Sequence, residues 1–309
     1  MRLRLAQPAA THLWMLVAIA TVSWSFGPIC IRFALQHEVP PALIASGRMV
    51  VGALFFTPYI CFKHAGDIQA MPARSRWLAI FAGALFGFNI TLNAASLEHV
   101  SVIIGQALIA TIPVWVAILE VAILKVKLKA SVWIGIFVAL VGAVLISWAT
   151  TSEAPPLEGG NPGLGVIMAL VSACFASLYI IIGRKVRGKV SFLPYIWLVY
   201  TSGAVTTLLI IASTSTPILG YDWEGYFWVI LLAVLAQIIG HGTLNFVLKY
   251  LSPTTLTITA QTMPILSVVW ALLILSETPT MFQVAGSIVL VLGVGIVLRA
   301  QNRAKILSS

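Results

Sequence analysis

Lys129–Ile146, KASVWIGIFVALVGAVLI, returns 151 residues later as Thr280–Val297, TMFQVAGSIVLVLGVGIV. Gly135 and Gly142 recur there as Gly286 and Gly293, and Pro113, 22 residues ahead of the first glycine, recurs as Pro264. Past its first residue neither copy holds a charge, and about 20 such residues cross the roughly 30 Å hydrocarbon core of a bilayer. The repeat therefore lies in membrane-spanning sequence. A membrane chain made of two related halves suits a transporter, because like halves can rock about a central site.

Composition points the same way across all 309 residues. Charged residues are 9% of the chain and mean hydropathy is +1.02, against about 25% charged in a soluble domain. Helices or closed barrels alone satisfy the backbone in lipid, and runs this long and uniformly apolar are helical. The expected fold class is all-α, a polytopic membrane protein. The start, Met1–Ala20, looks like a signal peptide, but the apolar run continues through Trp24 and Phe26 with no small-x-small cleavage site before it. It is expected to stay as the first span. Cys30, Cys61 and Cys174 are odd in number and form no CxxC pair, so they read as small hydrophobes rather than a disulfide or zinc framework.

Ten segments read as spans: His12–Leu35, Ala42–Phe62, Trp77–Leu97, Val100–Leu124, Ser131–Ala149, Gly163–Gly183, Leu193–Ser213, Tyr226–Leu248, Pro253–Leu275 and Met281–Arg299. The longest connection, Thr150–Pro162 (TTSEAPPLEGGNP), falls between the halves and has the composition of a linker. Of the 18 Lys and Arg, only Arg32 and Arg48 fall away from the start, the end and the loops after the even-numbered spans. The opposite loops hold Glu38, Glu98, Glu153, Glu158, Asp222, Glu224 and Glu277. Ten spans place all those basic residues on one side, which the positive-inside rule makes cytoplasmic together with both termini. The net charge of +9 is thereby a topology signal beside anionic lipid rather than a nucleic-acid-binding groove. Five spans per half is an odd number, so the second copy enters the membrane with opposite polarity. Two inverted five-helix repeats predict alternating access.

Polar and aromatic side chains inside the spans are the candidates for a binding site. Arg48 lies about 10 Å below the outer surface, counting from Pro41. There a charge costs up to about 3 kcal/mol unless it faces protein or water. It suits a substrate carboxylate or an outer gate, or else a structural tie to helix-end carbonyls or Glu98. Arg32 reads as an interface anchor. Asn89 and Asn93 stack one turn apart on the third span, and Gln237 and His241 repeat that spacing on the eighth. With Gln106 and Gln261 they line a wet cavity or bond between helices. His241 is either a proton carrier or a neutral hydrogen-bonded histidine, and Glu120 is a paired or snorkelling acid at a helix end. Trp24, Trp115 and Tyr179 offer an apolar wall for a substrate, or core packing. Pro113 and Pro264 interrupt helices near mid-span, as gating helices do, although static packing also tolerates them. Gly83/Gly87 signals close helix approach, and the repeated glycine pairs suit close packing or the seam of a homodimer.

Ile19–Arg32 (IATVSWSFGPICIR), Pro41–Met49 (PALIASGRM) and above all Tyr250–Glu277 (YLSPTTLTITAQTMPILSVVWALLILSE) with its glycine-bearing helix resemble the EamA type of the drug/metabolite transporter superfamily. The resemblance implies a ten-helix carrier of small organic solutes, many members being exporters. Its central cavity is lined chiefly by spans one, three, four, six, eight and nine. It divides the chain into repeats 1–150 and 151–309, joined at 150–162. The first half departs from the pattern. The acid that members often carry after the fourth span is Val126 here, beside Lys125.

No GxxxxGK[ST], HExxH or GxSxG motif occurs, so neither nucleotide hydrolysis nor an enzyme, metal site or cofactor is expected. Arg48 among neutral amides favours a zwitterionic or anionic solute such as an amino acid, exported across a bacterial inner membrane. Protons or a counter-substrate are the coupling partners to consider. The alternatives are an exporter of amines or drugs by proton antiport, and a non-transporting receptor or assembly subunit.

Overall fold

The computed structural model describes residues 10–125, 128–152, 159–187, 190–243 and 253–306, all in helices or short connections. The first half holds α1 (Ala10–Ser25), α2 (Gly27–Gln36), α3 (Pro41–Lys63), α4 (Ala65–Ala70), α5 (Ala73–His99), α6 (Val102–Ile109), α7 (Ile112–Leu124) and α8 (Ala130–Ser152). The second holds α9 (Pro162–Arg187), α10 (Phe192–Ser213), α11 (Trp223–Leu232), the π-helical α12 (Ala233–Gly242), α13 (Pro253–Ile274) and α14 (Met281–Ile306). Among the described residues nine helical stretches are long and apolar enough to cross a membrane, and Thr262–Ile274 of α13 is a shorter apolar helix. The protein is an integral, all-helical membrane protein.

Two expected spans are broken rather than continuous, and a third changes its helical form. The first divides at Phe26, where Gly27-Pro28 opens α2. The fourth divides at Ala110–Thr111, where Pro113 sits in the first turn of α7. Proline offers no N–H to the preceding turn, so a helix most easily restarts there. The eighth passes from α11 into α12, whose wider i→i+5 turns are rare and recur at functional sites. Pro264, the repeat counterpart of Pro113, stays within an unbroken α13. The short α4 was not expected from hydropathy.

Helices of one half pack mainly on helices of the other: α8 on α14, α5 on α9 and α10, α10 on α3, α1 on α12, and α2 on α11. The α8–α14 contact shows how the repeat is used. A methyl group on Gly135 would lie 2.9 Å from the Gly293 carbonyl oxygen, and one on Gly142 would lie 2.7 Å from that of Gly286. Rising numbers on one helix meet falling numbers on the other, so the two equivalent helices run antiparallel, as an inverted repeat requires. Ile136, Ala139, Ala143 and Ile146 fill this seam with Leu290, Val294 and Val297. These glycines are therefore occupied within one chain rather than at a seam between two. The motif Gly83/Gly87 works likewise between α5 and α10, where a methyl group on Gly87 would stand 3.0 Å from the Gly203 carbonyl oxygen. Lipid gives helices no hydrophobic reason to associate, so such close backbone approach supplies the attraction.

Candidate functional site

Mid-span side chains from five helices converge on α12. Arg48 of α3 donates its Nε–H to Oε1 of Gln237 at 2.7 Å. Arg48 is 8% exposed and Gln237 is fully buried, and Gln237 has no partner for Nε2. Among the described residues no carboxylate forms an ion pair with Arg48. Among the described residues a neutral amide, not a counter-charge, accepts from this buried cation, and burying a charge without a counter-charge is unfavourable.

One turn on, His241 Nδ1 shares a 2.7 Å hydrogen bond with the Tyr200 hydroxyl of α10. Aromatic rings enclose this pair. Trp24 meets His241 edge-on at 4.8 Å, and Phe86 of α5 stacks on His241 at 5.5 Å. Tyr179 of α9 in turn stacks on Phe86 at 4.9 Å. The backbone is shaped for this. A methyl group on Gly52 would come within 2.8 Å of Gln237 Cγ, and one on Gly240 within 2.6 Å of Trp24 Cβ. Both glycines are needed for α3 and α1 to lie this close to α12.

The remaining candidates lie elsewhere. Asn89 donates from Nδ2 to the Ser172 carbonyl and hydroxyl oxygens, each at 2.9 Å, and the Ser172 hydroxyl donates to the Asn89 carbonyl at 2.9 Å. Those bonds make it a tie between α5 and α9 rather than a free ligand. Asn93 is half-buried, with Oδ1 lacking a partner. Gln106 of α6 is buried with Nε2 lacking one. Trp115 of α7 is half-buried outside the aromatic cluster. The side chain of Gln261 lies outside the described residues. Tyr200, Phe86 and Ser172 escaped the sequence reading. Phe86 carried one usable signal, since it is the repeat counterpart of Gln237. Spans two and seven supply Arg48 and Tyr200, so the cluster draws on helices that the family resemblance left out of the lining.

With Arg48, Gln237, Tyr200 and His241 all buried, this cluster is packed shut. The described cavity, about 830 Å³, opens at the acidic face instead. Arg32, Glu38, Glu98, His99 and Glu277 line it, and none of the mid-span candidates does. Arg32 corrects an expectation here. It is only 9% exposed and donates Nη2 to the Val100 carbonyl at 2.6 Å, 3.8 Å from Glu277 Oε1, so it is a structural tie and not an interface anchor. Glu277 accepts from the Val102 and Ile103 amides at 2.9 and 3.0 Å. Nearby, His37 bridges Asp222 at 2.7 Å and Glu224 at 3.4 Å, and the Gly225 amide with His37 holds the Asp222 carboxyl below its ordinary range. At the other end Arg184 pairs with Glu120 at 2.8 Å.

The profile of the EamA-like transporter family matches this chain twice, over residues 12–148 and 163–299. A Bacillus subtilis protein described as an uncharacterized transporter, YdfC, is 23% identical over 85% of this chain and 83% of its own length. An uncharacterized transporter of Archaeoglobus fulgidus is 22% identical over 93% of this chain and 98% of its own length. A solved crystal structure superposes with a TM-score of 0.62 at 17% identity, covering 94% of this chain and 98% of the other. That likeness concerns the fold.

Proposed function

Because the chain belongs to the EamA-like transporter family, we propose that it is a secondary transporter which moves a small carboxylate-bearing organic solute, an amino acid or a similar zwitterion or anion, outward by alternating access. The observation that carries this reading is Arg48, a buried guanidinium facing a neutral amide with no acid paired to it among the described residues. A carboxylate satisfies such a cation better than an amide does, because charge-assisted hydrogen bonds are about twice as strong as neutral ones. The orphan Nε2 of Gln237 offers a second donor for the same ligand. The rings of Trp24, Phe86 and Tyr179 supply an apolar wall for the rest of it. Amine export by proton antiport needs a buried carboxylate. In the described residues the cluster has none, and Glu120 is taken by Arg184 near a helix end. The segregation of Lys and Arg supports a cytoplasmic basic face with both termini on it.

Counterflow in proteoliposomes tests this, with unlabelled amino acids inside and trace labelled ones outside. Accumulation with one subset, abolished in Arg48→Ala and partly kept in Arg48→Lys, is the expected result. A loss of one charge-assisted hydrogen bond corresponds to roughly 10- to 100-fold in transport efficiency. Undiminished accumulation by a well-folded Arg48→Ala protein removes Arg48 as the carboxylate anchor.

A further inference from the structure

The acidic face carries a clasp between the two halves of the chain. Glu277, in the connection after α13, spreads its two carboxylate oxygens over the first two amides of α6, Val102 and Ile103. Those donors have no partner inside the helix, and a carboxylate beside them also meets the positive end of the helix dipole. Arg32 of α2 closes the arrangement from the side by holding the Val100 carbonyl and flanking Glu277. Ser101 caps the next amide, Ile104, at 3.3 Å. Glu277 belongs to the second half of the chain and its partners to the first, so the clasp ties the halves together at one mouth. Arg32 and Glu277 both line the 830 Å³ cavity there, and beside them lies a buried cluster containing Cys30, Leu97, Val102, Ile103 and Ala271.

The 151-residue repeat says what the corresponding place on the basic face can do. Ser101 recurs as Ser252, and the Ile103 amide has a counterpart in Thr254, but three other members of the clasp are replaced. Glu277 corresponds to Val126, which has no oxygen to offer, and Val102 corresponds to Pro253, which has no N–H to donate. Arg32 corresponds to Gly183, where even a methyl group would meet the Tyr195 hydroxyl at 2.8 Å. The backbone retains the symmetry, since Lys125 and Ser276, just before Val126 and Glu277, both have left-handed φ angles of 56° and 52°. Chemistry has diverged on a shared frame, and the acceptor has gone together with one of its two donors.

From this we infer that the Glu277–Arg32–α6 clasp is a gate at the acidic face: it ties the two halves of the empty carrier together there through helix amides, where the basic face is tied by the Arg184–Glu120 ion pair. Opening toward the acidic side requires Glu277 to leave the α6 amides. In the transport cycle proposed above, this is the step that releases exported solute.

Cys30, fully buried behind the clasp, is a built-in reporter. In a Cys61→Ser, Cys174→Ser background reconstituted into liposomes, a membrane-impermeant maleimide is applied from the acidic side without any solute. Glu277→Gln keeps the size of the side chain but removes the charge, and is expected to raise the Cys30 labelling rate about tenfold. Ser101→Ala weakens the same helix end without touching the link between halves, and is expected to leave the rate within about twofold of the parent. Thermal unfolding of both variants separates opening from denaturation. Equal labelling of Glu277→Gln and its parent overturns the gate, and so does equal acceleration by both variants, which would make the clasp a stability element only. Because no solute enters this measurement, failure to find a cargo leaves the two rates just as decisive.

Discussion

A charged or amide side chain in the bilayer interior must be answered by another polar group, and the pairing chosen separates packing from function. Asn89 is answered three times over by Ser172, whereas Arg48 receives a neutral oxygen and Gln237 keeps an unanswered N–H. Asn89→Ala should lower stability by about 1–3 kcal/mol, read from thermal unfolding in detergent, and leave the apparent affinity for solute unchanged. A shift in affinity of the same variant at unchanged stability would return Asn89 to the binding site. The residues themselves were visible as polar interruptions of apolar sequence. Their partners were not, because Arg48 and Gln237 stand 189 positions apart and each step along a helix turns the side chain by about 100°. Hydropathy shows that a polar group is present and gives no azimuth.

Helix ends and breaks carry the next set of consequences. Lys125 and Ser276 end α7 and α13 in the left-handed region, where a side chain costs about 1–2 kcal/mol relative to glycine. Lys125→Gly and Ser276→Gly should each raise stability by up to about 1 kcal/mol in the same unfolding assay. The second should do so without disturbing the position of the Glu277 backbone. Pro113 divides one span while Pro264 does not divide its counterpart. If the break is a working hinge, Pro113→Ala slows turnover several-fold at unchanged or raised stability, and Pro264→Ala changes turnover less. Equal effects would make both prolines packing features. Ten spans were legible because the bilayer enforces length and apolarity so strictly. The break at Phe26 had a visible Gly-Pro signal. The π-helical turns of α12 had none, because the apolar pattern does not distinguish i→i+5 turns from α-helical ones.

At the scale of the whole molecule, the repeat and the charge segregation foretold an inverted pair of halves, and the antiparallel packing of α8 on α14 is its direct expression. The interleaving of the halves was not legible, since a repeat gives the relation between two copies and not the contacts between them. The closed state of the mid-span cluster was equally invisible, because sequence describes every state of a carrier at once. Hydrogen exchange compared between empty and solute-loaded protein should show α6 and α11–α12 changing while α8 and α14 stay equally protected. Changes in α8 and α14 as large as those in α6 would place the moving parts elsewhere.

That expectation grows from the glycine seam. In the proposed exchange of the two halves, the contact of Gly135 with Gly293 becomes the contact of Gly286 with Gly142, and both already exist side by side in one structure. A contact carried onto itself by the exchange has no reason to break during it. Arg48 against Gln237 is of the opposite kind, since its image would set Val199 against Phe86, a pair with no charge and no hydrogen bond to give. For the proposed cycle the protein thus contains both an axle, in which the symmetry is kept to the residue, and a direction of travel, in which it has been abandoned.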